Sequence, residues 1–557
     1  MKKLLRLVSG LILLLAALVF GAPYYLGIKA EESLAKQHEI LADTSFLQVE
    51  SRRYERGWFS STETTVVRFK PTFLAQLQDK LPDNLKTILN QPITLESRVN
   101  HNLFANGIMP VRAVVETQFN FEPESREILQ RFFGSQPPAS LRNVINLDGS
   151  GHLSWQVPAF KYQELSGIAI DWQGLKGETD YAKYFTSYQT DLENPGLTIT
   201  LADKGSVAYQ NLKLHTETRD GQHNLALGSS KLTLGQVQLE WKDNISYDIR
   251  LNDVLNMVSD LQIGSFINPY GQVPPSKISL TDLHIETSMA EDGQWVNTEG
   301  KFGFAKLNYG SDSYGPLAII ASAEHLDAES LAALKTRRDQ LVTQRLDDGQ
   351  MREALLATLR REAAGLFTND PVIRLKQFDL TTPQGMISSS GELKFSGLTA
   401  ADLNDINSMM AKTDADFHIA IPQKLIEQLT ASQAKNYISV DPSLPNADKE
   451  IQEAVRLWLD NILTGMASQG YLKIDGNQIV STHIVIRDQA LSMNGKRIES
   501  QADQDLLPDS SCPPTAAPPP LPPRPPRPPK RATPLPPPPR PKAHPPLNPA
   551  RRLPFFR

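Results

Sequence analysis

The chain has 557 residues, with 57 Lys+Arg against 62 Asp+Glu and a net charge of −5. Residues 508–557 hold nine Lys/Arg and one Asp, a net +8, so the remainder carries −13, which argues against a nucleic-acid binder. The lone cysteine, Cys512, excludes an intramolecular disulfide, a CxxC redox pair and a Cys-rich zinc site. The length suits two to four ordinary domains or one large sheet-rich body.

The N-terminus opens with Lys2, Lys3 and Arg6, followed by an uncharged run over residues 7–28. As a helix that run would reach about 33 Å, enough to cross a bilayer core. Its apolar length, the poor cleavage positions around Phe20 and the interfacial Tyr24 and Tyr25 favour a retained anchor over a removed signal peptide. The basic end (1–6) then stays in the cytoplasm and the body is exported. Residues 29–45 continue with good helix formers as a juxtamembrane helix that could hold the body above the membrane.

Strand texture begins after Ser45. Two alternating runs flank Tyr54-Glu-Arg-Gly-Trp-Phe-Ser-Ser61. This stretch is expected to be a hairpin: Gly57 supplies a positive φ, and Tyr54, Trp58 and Phe59 pack over the bend. Turn pairs then recur at Asn106-Gly107, Asp148-Gly149, Asp220-Gly221, Asp292-Gly293, Asp475-Gly476 and Asn494-Gly495. Three of them fall 72 residues apart, but their flanks disagree, which argues against an internal repeat.

Helices are expected in three places. Asp327 caps one carrying Leu331, Leu334, Leu341 and Leu346, and Gly349 breaks it before a partner carrying Met351 to Leu366. Another helix lies near residues 423–431. The last runs over about 448–469, with Gly470 as its stop, and leads into a three-strand meander.

Chemical motifs are absent. The ten histidines show no HExxH or His-x₃₋₅-His spacing, so no local zinc motif exists, although a site assembled in space stays open. Asp148, Ser150 and His152 lie close in sequence but in a turn, without the Gly-x-Ser-x-Gly elbow. No phosphate loop or calcium loop occurs, and Thr413 to His418 lacks the glycine and distant glutamate of the latter. No catalytic, cofactor or metal residue is assigned from sequence.

The tail holds 22 of the 41 prolines from Pro508 onward and is expected to be disordered, with polyproline II character. Pro520 to Arg524 would suit an SH3-type groove, and a basic tail could touch anionic envelope polymers or lipid. The abrupt change near residues 501–510 fits a shifted reading frame better than either.

Several segments together resemble one bacterial family. They are the basic-apolar N-terminus, "YERGWFSSTETTVVRFKP", "YGPLAIIASAEHLDAESLAAL", "NDPVIRLKQFDLTTPQGMISSSGELKFSG" and "GYLKIDGNQIVSTHIVIRDQALSMNGK". Their order over roughly residues 1–497 resembles the YdgA-like proteins of Gram-negative bacteria, a family of unknown function. The motif residues are Tyr54, Arg56, Gly57, Trp58, Phe59 and Ser61. The segment from His101 to Gly107 keeps the family's histidine and lacks its Gly-Pro. The resemblance implies an inner-membrane anchor and a periplasmic body, and no catalytic residues.

The expected fold is mainly β (α+β): an extended antiparallel sheet, able to curve, with packed helices, one N-terminal transmembrane helix and a disordered Pro-rich tail. The expected segments are 1–6, the anchor 7–28, the helix 29–45, a β-rich region 46–320, a helical pair 321–370, strands with helices 371–500 and the tail 501–557. The leading functional expectation is non-enzymatic binding or scaffolding in the cell envelope, with the inner membrane as partner, and lipid or envelope proteins as further ones. Lipid or hydrophobic-ligand handling in a β-groove and a hydrolase assembled from distant residues are the alternatives. The groove reading requires one face to be apolar over many adjacent strands.

Overall fold

The computed structural model describes residues 20–43, 46–71, 73–74, 83–241, 277–342, 344, 348–437 and 447–498. The basic end, most of the expected anchor, the Pro-rich tail and Cys512 lie outside these residues.

The expectation of a β-dominated antiparallel body holds: the described residues contain one open sheet of 24 strands. The first nine are β1 (Leu47–Glu55), β2 (Ser60–Phe69), β3 (Ile93–Asn100), β4 (Ala113–Phe121), β5 (Ser140–Ile145), β6 (Gly151–Val157), β7 (Phe160–Gln163), β8 (Ile168–Trp172) and β9 (Leu175–Tyr181). Long strands follow: β10 (Ser187–Leu201), β11 (Gly205–Asp220), β12 (Ala226–Trp241), β13 (Lys277–Asp292) and β14 (Trp295–Phe304). Then come β15 (Lys306–Tyr309), β16 (Asp312–Tyr314), β17 (Leu317–Asp327), β18 (Val372–Thr382), β19 (Gly385–Phe395) and β20 (Thr413–Pro422). The last are β21 (Lys473–Ile474), β22 (Ile479–Arg487), β23 (Ala490–Met493) and β24 (Lys496–Arg497).

Pairing is a meander in which each main strand meets the next antiparallel. Three short excursions leave it: β7–β8 beside β10, β15–β16 beside β13, and β21 beside β22. Short turns suffice for such neighbours. Of the Asn/Asp-Gly pairs, Gly107, Gly149, Gly293 and Gly495 take positive φ as hairpin turns require. Gly221 and Gly476 do not; a histidine and a glutamine two residues further on, His223 and Gln478, hold the left-handed position instead.

Nine helices are described: α1 (Ala22–Asp43), α2 (Asp83–Asn90), α3 (Pro123–Phe133), α4 (Ala328–Val342), α5 (Asp348–Arg361), α6 (Gly365–Thr368), α7 (Ile406–Ala411), α8 (Gln423–Tyr437) and α9 (Ala447–Ser468). The Asp327 cap is present, its carboxylate accepting from the Ser330 amide at 2.8 Å. Gly349 is not the break expected from sequence. It lies inside the first turn of α5, where helix amides need no intrahelical acceptor and glycine is tolerated. Gly470 ends α9 with φ +79°. Helices α2, α3 and α7 were not read from the sequence; each is short, and α3 starts on Pro123 at its first position.

Helix α1 runs unbroken from Ala22 to Asp43 and so crosses the boundary expected between residues 28 and 29. It also docks on the sheet instead of standing clear of it. Ala30 and Leu34, one turn apart, form a buried cluster with Val99, Ala113, Val115 and Ile145. Polar contacts fix the same face: Arg112 donates to Ser33 Oγ at 2.6 Å and to the Leu147 carbonyl at 2.6 Å. Further along, Gln37, Asn143 and the Tyr181 hydroxyl close a hydrogen-bonded ring. Burial pushes the Tyr181 hydroxyl up to about 12. Among the described residues no helix is long and apolar enough to cross a membrane.

His101 is the keystone of this contact and is fully buried. Its Nδ1–H donates to the Pro23 carbonyl at 2.8 Å, and its Nε2 accepts from the Ser61 hydroxyl at 3.0 Å. Gly27 lies against the ring; a Cβ there would sit 2.9 Å from Cε1. Both ring nitrogens are satisfied in the neutral tautomer, and burial holds the imidazole below its ordinary value of 6.5. Protonation therefore favours the unfolded chain. Stability should be full above pH 6.5 and fall as pH drops through 6.5 toward the lowered folded value. Urea midpoints at pH 7.5 and pH 5.5 will show a drop that is smaller in His101→Gln.

Candidate functional site

The motif residues occupy the β1–β2 hairpin and grip the start of α1. Tyr54 packs against the Ala30–Leu34 cluster. Arg56 pairs with Glu31. The Trp58 indole N–H donates to the Phe20 carbonyl at 2.8 Å, and its ring meets Tyr24 at 5.2 Å. Phe59 meets Phe20 edge-on at 6.1 Å. Two expectations are corrected here. Gly57 does not adopt positive φ; glycine is required because a Cβ would lie 2.2 Å from the Ser60 carbonyl oxygen. Trp58 and Phe59 do not plug the bend, and both stay exposed beside the helix.

The β3–β4 connection starts at the same end of the sheet, with the His101 amide donating to the Phe59 carbonyl at 3.1 Å. A turn at Gly107 bridges Asn106 to Met109 and leaves Ile108 94% and Met109 76% exposed. With Phe20, Tyr24, Tyr25 and Phe104, also exposed, they make an apolar, aromatic-rich end at the point where residues 1–19 join the fold.

The sheet is two-faced. Side chains of directly paired residues share a face, so the register traces a single row. It runs Leu141, Trp155, Gly177, Leu192, Leu214, Leu232, Ile285, Phe302, Ile319 and Phe378 over ten adjacent strands, β5 to β18. At Gly177 the Trp155 indole lies over the backbone; a Cβ would fall 2.2 Å from its ring. A second apolar row lies beside the first: Leu212, Leu234 and Leu283, then Phe304, Leu317, Leu380 and Ile387. Nine interstrand spacings make the first row about 43 Å long.

The row passes between two helical covers on its own face. Two residues along β10 from Leu192, on the same face, Thr190 pairs outward through Thr179, Leu153, Asn143 and Val115 to Val99, the floor under α1. Beyond Phe378, Ser389 and Ile419 lead to the strand bearing Val480, which α9 covers with Leu459 and Leu463. Between these covers the row's side chains remain partly exposed, and none of them belongs to a buried cluster among the described residues. Where the row begins, a cleft of about 920 Å³ opens beside α3, with Leu129, Phe133 and Trp155 among its walls.

The opposite face is charged. Asp191, His215, Lys231, Glu286 and Lys301 are successive cross-strand neighbours. His215 meets Asp191 at 2.6 Å and Lys231 meets Glu286 at 2.8 Å. The Asp191 hydrogen bond holds the His215 imidazole above its ordinary value. Alternating charges solvate this face and leave the apolar side as the one that water disfavours.

The Asp148–His152 stretch forms a turn, as expected. Asp148 accepts from the Ser150 amide and hydroxyl, and His152 turns to Asp180 at 2.8 Å. The three residues do not assemble as a triad. The apolar row was invisible in sequence because each strand contributes one or two of its members.

No curated protein and no solved structure matches this chain. A family model described as a bacterial protein of unknown function matches residues 1–501, which covers the whole described sheet. The chain therefore belongs to the DUF945 family of bacterial proteins of unknown function.

Proposed function

We propose that this chain is a non-enzymatic, membrane-tethered envelope protein that holds acyl chains of lipid along the apolar row from Leu141 to Phe378. The row itself carries the reading. It is partly exposed, backed by a charged face, and about three times as long as the roughly 15 Å that one acyl chain spans in a bilayer leaflet. Each methylene buried there contributes about 0.8 kcal/mol.

The tether belongs to the same reading. The apolar stretch expected to anchor the chain precedes the docked part of α1, and the aromatic end of the body, with Phe20, Tyr25, Trp58 and Ile108 exposed, suits the membrane interface beside it. The body then faces the periplasm.

Native mass spectrometry of the full chain, extracted in a mild detergent, tests the proposal. The expected result is a phospholipid adduct in sub-stoichiometric to one-to-one amount that survives removal of detergent. Bare protein from freshly extracted membranes would overturn it.

A further inference from the structure

We infer that Asp416, His418 and His483 form a binding site for one divalent first-row transition cation of the zinc, cobalt and nickel class. It lies on the charged face, away from the apolar row, and stands independently of the lipid-binding reading. Strand pairing creates it. Asp416 and His418 are two apart on β20 and so share a face. His418 pairs directly with His483 on β22. The two imidazoles stack at 4.0 Å with 13° between their planes. His483 Nε2 lies 2.7 Å from Asp416 Oδ1, and His418 Nδ1 lies 3.8 Å from the same oxygen. One ligand atom from each residue falls within 4.8 Å of the others.

These separations suit a metal. Bonds of about 2.0–2.1 Å in a tetrahedron place neighbouring ligand atoms about 3.3 Å apart. The observed 2.7 and 3.8 Å bracket that edge. Two imidazoles and one carboxylate match borderline cations and not calcium or magnesium, which prefer all-oxygen sets. Without metal, the His483–Asp416 hydrogen bond occupies the same lone pairs, and a cation replaces its proton.

The surroundings hold the geometry and leave one side open. Asn494 accepts from the His483 amide at 3.1 Å and donates to the Tyr471 carbonyl at 2.9 Å, which pins β22 behind the ligand. His418 and His483 line a trough of about 650 Å³ together with Ser390, Lys473 and Ser481. Three protein ligands with an open fourth position leave room for water or a small anion beside Lys473.

The test uses the untagged full chain in detergent, stripped with chelator and titrated with Co²⁺. Saturation at one ion per chain, with visible ligand-field absorption, is the expected result. Loss of that binding by at least about tenfold is expected in His418→Ala and His483→Ala, with Asp416→Asn weaker than wild type. His215→Ala, elsewhere on the charged face, should bind as the wild type does. Unchanged circular dichroism and urea midpoints in the metal-free variants separate ligand loss from misfolding. Absence of saturable binding by the wild type, or its retention when both histidines are alanine in a folded chain, would overturn the inference.

Discussion

Arg52→Ala will lower the unfolding free energy by about 3–5 kcal/mol. Glu63 is 1% exposed on β2, and the Arg52 guanidinium on β1 meets it at 2.5 Å. Arg52 also donates to the Glu31 carbonyl at 3.3 Å, so the pair links the first hairpin to α1. Truncating the arginine leaves a carboxylate under the helix with no cation beside it. A burial penalty of that kind far exceeds the loss of an exposed, solvent-screened pair such as Lys29–Glu32. The measurement is the urea midpoint of the full chain at pH 7. Arg52→Met with Glu63→Leu should recover most of the loss, because replacing a buried pair by apolar groups removes both desolvation costs. A midpoint within about 1 kcal/mol of wild type for the single variant would show that water reaches Glu63.

Ile285→Asp will abolish lipid adducts in native mass spectrometry. Ile285 sits in the middle of the apolar row, between Leu232 and Phe302. A carboxylate against an acyl chain costs about 2.5–3.5 kcal/mol on insertion scales, roughly a hundredfold in affinity. Lys231→Gln, on the charged face of the neighbouring strand, removes a charge without touching the row and should leave the adduct unchanged. Equal adducts in Ile285→Asp and wild type would place the lipid elsewhere. Because the row is partly exposed, the substituted side chain can reach water when no lipid is bound, and the fold should persist.

Much of the architecture was legible locally. Alternation in β2 and β22, the Asp327 cap, the Gly470 stop and four of the glycine turns are decided by neighbours within a few residues, which is the range of pleat and turn chemistry. The β1–β2 hairpin followed from the same signals. The role of Gly57 did not, because close approach to the Ser60 carbonyl depends on the path of the turn and not on residue preference. The docking of α1 was not legible either, because helix formers do not name the surface they meet; Ala30 and Leu34 find theirs in the Val99–Val115 floor.

Composition, periodicity and turn residues thus determined by themselves that this is a large, disulfide-free antiparallel body with helices near 328–361 and 423–468. Register was decided only in the tertiary structure. Leu192 and Phe378 share an apolar row, and His418 faces His483, because strands far apart in sequence align to within one residue. A shift of one residue would send each of these side chains to the opposite face. Each strand's own pattern specifies which positions alternate, while the identity of the partner across the ladder depends on every intervening turn. That dependence is long-range, and a single strand carries no record of it.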